Sequence, residues 1–160
     1  MAQATPPSDH PFWKVFELGA QANVRLYRLS GGRFANRLPG FPDAPIILLH
    51  HVGAKSGRHR VSPVLGLPDG DRWLIVASKG GTDKHPAWLH NLKANPETEI
   101  EVPERVPVTA RVVDEAERAE LWPRLTAVYP PYDDYQANAE QHRQIQVLSL
   151  DPRSAERIAR

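Results

Sequence analysis

The sequence predicts a mainly β fold of the α+β kind, a small antiparallel barrel of about six strands with helices at its periphery. Three observations carry this expectation. Short β-rich runs in the middle of the chain are separated by turns rich in Gly, Pro and Asp. Strands and helices do not alternate in the βαβ manner that builds a parallel sheet. Proline supplies 16 of the 160 residues, scattered as turn punctuation, about twice ordinary usage.

Taken in order, residues 1–8 are small, polar and Pro-containing and read as a mobile tail, leaving 9–160 as one domain. Ser8 or Asp9 is placed to cap a helix with Pro11 in its first turn. Phe12, Val15, Phe16, Val24 and Tyr27 recur at helical spacing, and Gly31–Gly32 ends the run. Such a stripe suits core packing. Lys14, Arg25 and Arg28 on the polar face leave a peripheral membrane contact as the lesser reading.

Ile46–His51 reads as a strand that stops at Gly53-Ala54-Lys55-Ser56-Gly57. Residues 58–67 extend back to the turn Pro68-Asp69-Gly70-Asp71, and Trp73–Ala77 completes that hairpin. After Gly80–Gly81, Pro86–Asn95 reads as a short helix, closed by Asn95-Pro96. Glu99–Val102 alternates as a half-buried strand and pairs with Val106–Val113. Asp114 and Glu117 form a capping-box-like start to a helix through Val128, kinked at Pro123. A Tyr132–Ala139 segment follows, then a last strand, Ile145–Leu150.

Composition excludes whole classes of chemistry. The absence of cysteine rules out disulfides, thiolate nucleophiles, iron–sulfur clusters and cysteine-ligated zinc. No run approaches the roughly 18 apolar residues of a membrane span, and no signal peptide is visible. A cytoplasmic protein is the expectation. Net charge is only +1, but residues 1–60 carry eight Lys/Arg against three Asp/Glu. No acid occurs between Ala44 and Pro68, where Lys55, Arg58 and Arg60 cluster. That cluster suits an anionic ligand better than a general solvated face.

Four segments could carry chemistry. In Gly53–Arg60, two glycines let the backbone turn and expose N–H donors, Ser56 adds a hydroxyl, and three cations surround them. An anion site and an ordinary basic hairpin tip fit these residues equally. Glycines in Ala77-Ser78-Lys79-Gly80-Gly81 let a flat ring approach the backbone, or simply make a flexible loop. Trp88 and Asn91 lie one helical turn apart, as core or as a ligand wall. Tyr129, Tyr132 and Tyr135 line an aromatic acceptor pocket or close one barrel end.

Other chemistries lack support. There is no G-x-G-x-x-G and no G-x-x-x-x-G-K-[ST], so no nucleotide signature. No serine lies in G-x-S-x-G. His50 and His51 point to opposite faces of a strand, and His85 and His90 are badly spaced for one helical face. No metal site is expected.

Together the four segments resemble the deazaflavin (coenzyme F420)-dependent nitroreductase family of actinobacteria. The resemblance rests on Gly53–Gly57, Arg60-Val61-Ser62-Pro63, Ala77–Gly81 and Pro86-Ala87-Trp88-Leu89-His90-Asn91-Leu92-Lys93-Ala94-Asn95-Pro96. It continues through Leu121-Trp122-Pro123 to Tyr129-Pro130-Pro131-Tyr132-Asp133-Asp134-Tyr135-Gln136. These motifs span about 45–150 in the family's order; the first 40 residues resemble it only loosely.

The resemblance implies a split antiparallel β-barrel and an F420H2-dependent reductase. Ala54, Lys55, Ser56 and Arg60 would hold the coenzyme's phosphate and glutamate tail. Ser62, Pro63 and Val64 would line the deazaflavin edge, with Ala77, Ser78 and Lys79 beside the ring and Ala87, Trp88 and Asn91 completing the wall. Tyr129, Tyr132 and Tyr135 match the substrate-pocket tyrosines, with Ser78 facing the same space. Ser78 and Tyr132 are the candidate catalytic groups, acting on a quinone, enone or nitroaromatic. His50-His51 stand where relatives often have hydroxyl residues. The alternatives are an FMN-using split barrel and a non-catalytic deazaflavin or lipid carrier. A nucleic-acid partner is disfavoured, because no aromatics interleave with the cations. Monomer and dimer both remain open.

Overall fold

A computed structural model describes residues 5–153. Its element order is α1 (Phe12–Leu29), β1 (Arg37–Leu38), β2 (Phe41–Val52), β3 (His59–Leu65), β4 (Leu67–Asp69), β5 (Arg72–Val76), α2 (Ala87–Ala94), β6 (Glu97–Glu101), β7 (Arg105–Val112), α3 (Glu115–Val128), α4 (Pro131–Ala139) and β8 (Val147–Pro152). Every strand pairing is antiparallel. β2 holds β3 on one side and β6 on the other, and the sheet runs on through β7, β8 and β5 to β4. Only Gly66 separates β3 from β4 along the chain. The two ends of the sheet are thus consecutive in sequence, so the sheet curls into a half-barrel with helices around it, open where β3 and β5 form no ladder.

The fold class agrees with the expectation, but eight strands form rather than about six. β1 and β4 are two and three residues long, too short to show a period. β2 also starts earlier than expected, at Phe41. Its first stretch pairs only with β1, an edge setting in which Pro42 and Pro45 are tolerated. The expected 58–67 strand splits at Gly66, whose N–H donates to the Pro45 carbonyl at 2.9 Å. Only the part after the break, β4, forms the hairpin with β5, through the Asp69–Arg72 turn. The last strand is β8, shifted two residues toward the C-terminus.

The interior has a main cluster beneath α2 and a second beneath α3 and α4. Ile47, Leu49, Ile75, Ala77, Leu89, Leu92, Ile100 and Leu148 meet in the first, with Val64 and Trp88 packed against them. Leu74, Val76, Leu121, Leu125, Tyr132 and Val147 meet in the second. α3 begins as predicted, with the Asp114 carboxylate accepting from the Glu117 N–H at 2.8 Å. The reciprocal half of the capping box is missing, because the Glu117 carboxylate accepts from Arg72 and Arg111 instead.

α1 departs most from expectation. Pro11 occupies its N-cap position, so neither Ser8 nor Asp9 caps it. Its end is as predicted: the Gly32 N–H donates back to the Tyr27 carbonyl, with Gly31 and Gly32 at positive φ. Core packing, however, involves only Val24 and Tyr27, which meet Leu48. Phe12, Val15, Phe16, Leu18, Leu26 and Leu29 are exposed, as is Phe34 beyond the helix. Residues 1–4 of the expected tail lie outside the described residues. Thr5 and Ser8 bond to the Gly80 carbonyl and the Asp83 carboxylate.

Candidate cofactor and acceptor site

The basic turn links β2 to β3. Gly57 at positive φ closes it, its N–H donating to the Gly53 carbonyl at 2.9 Å. Several expected donors are spent inside the protein. The Ala54 N–H donates to Asn91 Oδ1 at 2.9 Å, and the Arg58 N–H donates to Ser56 Oγ at 3.2 Å. Anion recognition therefore falls mainly on side chains. Lys55, Arg58 and Arg60 are all exposed, and none has an ion-pair partner among the described residues. Uncompensated exposed cations gathered on one turn fit a polyanionic group.

Asn91 joins this turn to the barrel interior. It sits on the buried face of α2, and its Nδ2 lies 2.9 Å from His51 Nδ1. His51 Nε2 lies 2.9 Å from Ser62 Oγ. Burial pushes the His51 pKa down to about 4, helped by Arg60, His59 and His50, so the ring is neutral near pH 7. Ser62 pairs with Leu49, and alternation places Arg60, Ser62 and Val64 on one face of β3. That face meets Trp88 through the main core cluster. Pro63 lies on the opposite face, across from Leu48, so its ring is not part of this wall.

The second lobe is the loop after β5. Lys79, Gly80 and Gly81 all have positive φ, and Arg143 staples the loop from below. Its guanidinium donates to the carbonyls of Ser78 at 2.7 Å, Thr82 at 2.9 Å and Ala77 at 3.0 Å. The Ala77 side chain is fully buried in the core, so it supports the loop and lines nothing. Ser78 is half-buried, and its hydroxyl has no protein partner among the described residues. Lys79 turns toward α1, its Nζ 5.9 Å from the Trp13 ring centroid. Ala87 is exposed at the start of α2.

The tyrosines reach this loop through α4. A Cβ on Gly81 would stand 2.5 Å from the Tyr135 carbonyl oxygen, so α4 packs directly on the loop backbone. Tyr129 and Tyr135 share a hydrogen bond at 2.9 Å between their hydroxyls, and the Tyr129 and Tyr132 rings meet edge-on at 4.8 Å. Tyr132 is buried, and its hydroxyl bonds to no protein group among the described residues. Burial raises the pKa of both Tyr129 and Tyr132, so both hydroxyls keep their protons. A small apolar cavity lies beside them, lined by Leu65, Leu67, Leu74, Leu125, Tyr129 and Tyr132.

Two residues at the site are not among those the sequence names for it, although the His50-His51 pair stands out as a departure from relatives. Arg143 lies in a polar stretch with no motif around it. His51 is adjacent to His50, and the two serve different networks. His50 faces α1, with its Nε2 2.7 Å from Glu101 and Arg28 closing an ion pair with the same carboxylate at 2.6 Å.

Comparison with known proteins agrees with this fold. A model of the F420H(2)-dependent quinone reductase family matches residues 20–152. An F420H(2)-dependent quinone reductase of Mycobacterium tuberculosis (strain ATCC 25618 / H37Rv) is 48% identical over 100 residues. That alignment covers 61% of this chain and 66% of the relative, so the chain spans slightly less than two thirds of the relative's length. A solved F420-H2 dependent reductase (FDR-A) is 38% identical with a TM-score of 0.60, covering 67% of this chain and 94% of that one. Another solved chain, described as a domain-swapped dimer, is 32% identical with a TM-score of 0.63, covering 89% of this chain and all of that one. With the family model spanning the whole half-barrel and both lobes of the site, the chain belongs to the F420H(2)-dependent quinone reductase family.

Proposed function

We propose that this protein is an F420H2-dependent reductase of small electron-poor acceptors, foremost quinones. The observation that carries the reading is the trio of exposed cations Lys55, Arg58 and Arg60, which have no ion-pair partner among the described residues. Through Asn91 their turn is tied to an inner wall of Ser62, Val64 and Trp88. These residues fit a cofactor that joins a flat ring to an anionic tail. Lys55, Ser56 and Arg60 hold the tail; Ser62, Val64, Trp88 and the Ser78–Lys79 loop hold the ring.

When bound, the reduced coenzyme supplies a hydride from its deazaflavin ring, and the protein's part is orientation and electrostatics. Reduction of a quinone to the hydroquinone takes that hydride and one proton. Ser78 and Tyr132 offer hydroxyls without partners among the described residues, suited to stabilising negative charge on the acceptor oxygen. Tyr132 stays protonated and can deliver the proton, which solvent then replaces. Tyr129 and Tyr135 shape the acceptor pocket. The test is titration with coenzyme F420 against FMN at several salt concentrations, followed by an acceptor panel. The reading requires tighter binding of the deazaflavin, weakened by salt, and turnover with a quinone.

The exposed apolar side of α1 supports a peripheral contact with the inner face of the membrane, where quinones reside. Phe12, Phe16, Leu18 and Leu29 lie exposed beside Lys14 and Arg25, a pairing suited to anionic headgroups. No described helix is long and apolar enough to cross a membrane. Co-sedimentation with anionic against neutral vesicles tests this contact. Sedimentation equilibrium without lipid decides between monomer and dimer.

A further inference from the structure

We infer that His51 is a positioning residue: it fixes the direction of a hydrogen-bond chain and so keeps the Ser62 hydroxyl as a donor aimed at bound ligand. The ligand is the acceptor-bearing edge of the deazaflavin ring, so the inference rests on the reading given above.

The direction of the chain follows from which groups can only give. The Ala54 N–H can only donate, so the atom of Asn91 that it meets at 2.9 Å is the carbonyl oxygen. The Asn91 amide nitrogen must then face His51, and an amide NH2 can only donate. His51 Nδ1 therefore accepts and carries no proton. In a neutral imidazole the proton must then sit on Nε2, which donates to Ser62 Oγ at 2.9 Å. With its oxygen accepting from His51, Ser62 has its own proton to give elsewhere. No protein group among the described residues takes it.

The placement of the two ends gives this chain a use. His51 and Asn91 are buried, 4% and 8% exposed, whereas Ser62 is half-buried on the face shared with Arg60 and Val64. The start of the chain is the backbone of the basic turn, and its end is the inner wall. One run of hydrogen bonds thus registers the tail-binding turn against the ring-binding strand. A purely structural histidine could bond in either tautomer. Here the reversed tautomer would turn Ser62 into the donor to His51 and face the ligand with oxygen lone pairs.

The test has two arms. In ligand-free protein, imidazole nitrogen NMR of His51 near pH 7 should show the neutral Nε2–H tautomer. An Nδ1–H tautomer or a doubly protonated ring overturns the inference, whatever the coenzyme does. In the second arm, oxidised coenzyme F420 and its tailless deazaflavin core are titrated against the parent, His51→Leu, Ser62→Ala and the double variant. We expect His51→Leu to weaken both ligands about five- to tenfold, as one lost hydrogen bond would. In the Ser62→Ala background the same change should cost nothing further, and the salt dependence should be unaltered. An equal loss in both backgrounds, or no loss in the parent, overturns the inference. Should His51→Leu fail to fold, His51→Gln can still donate to Ser62 and should bind closer to the parent than Ser62→Ala does; binding no better than Ser62→Ala overturns the inference. A parent protein that binds FMN but not the deazaflavin overturns the proposed function and, with it, the ligand named here.

Discussion

Acidification from about pH 7.5 to about pH 4 is expected to remove roughly 3 kcal/mol of folding stability through His51 alone. The ring is buried in the fold and titrates at about 4, against an ordinary histidine value of 6.5. Its pKa is depressed on folding, so the unfolded chain takes up the proton first. The stabilisation is fully present above pH 6.5 and is lost as pH falls to about 4, below which both states are protonated. A gap of about 2.5 pH units, at about 1.36 kcal/mol each, gives the magnitude. The carboxylates of Glu101, where burial is outweighed by Arg28 and His50, and of Glu117, beside Arg111 and Arg72, are held below their ordinary range. They too contribute stability that is lost at the acid end of this range. Burial lowers the pKa of His50 and His85 as well, so total stability alone does not isolate His51. The measurement is therefore urea unfolding of the parent and His51→Gln across this range. Glutamine does not titrate, so the parent's advantage should narrow by about 3 kcal/mol between neutral pH and pH 4. A parent-minus-variant difference that stays level across the range refutes the buried neutral imidazole.

Four further outcomes follow from the geometry. Lys55→Ala and Arg60→Ala should each weaken coenzyme F420 about ten- to hundredfold, the effect of losing one charge-assisted contact. Their melting temperatures should not move, since neither side chain has an ion-pair partner among the described residues; fluorescence titration and thermal melts check both. Tyr132→Phe should leave coenzyme affinity and folding unchanged but lower quinone turnover by about 1–3 kcal/mol in transition-state stabilisation, read as kcat/KM. Arg143→Lys should destabilise the protein by roughly 2–4 kcal/mol, because an ammonium cannot span the three carbonyls that the planar guanidinium joins. Urea unfolding measures it. Gly81→Ala combines φ +76° with a 2.5 Å clash against the Tyr135 backbone, so it should separate α4 from the loop and yield little folded protein on expression.

What the sequence makes legible here is what is local. The hairpin at Pro68–Asp71 and the Asp114 cap are encoded within four residues, and both form. The basic turn is visible because its charge is uninterrupted by acids. Strand order is not legible: β6 and β3 flank β2, and β8 enters between β5 and β7, through pairings between distant segments. The alternation rule places His50 and His51 on opposite faces, yet their partners Glu101 and Asn91 lie 51 and 40 residues away. The helical stripe of α1 is equally visible, but periodicity shows only that a face is apolar. What covers that face is decided by where the helix docks.

α1 is fastened to the barrel most firmly near its C-terminal end. Val24 and Tyr27 pack on Leu48, the Tyr27 hydroxyl donates to the Glu101 carbonyl, and Arg28 pairs with the Glu101 carboxylate. All of these lie beyond residue 20, where the family match also begins. Before that point the helix meets the Gly80 loop through the ring of Trp13 but buries no side chain in the core, and an isolated stretch of under ~12 residues is marginal in water. One continuous helix therefore contains two levels of protection. Amide hydrogens of residues 24–28 should exchange with deuterium only when the barrel opens, and those of residues 12–19 by fraying from the N-terminus, orders of magnitude sooner. The step in exchange rate should fall inside an unbroken helix, one turn before Val24, with no loop or proline to mark it.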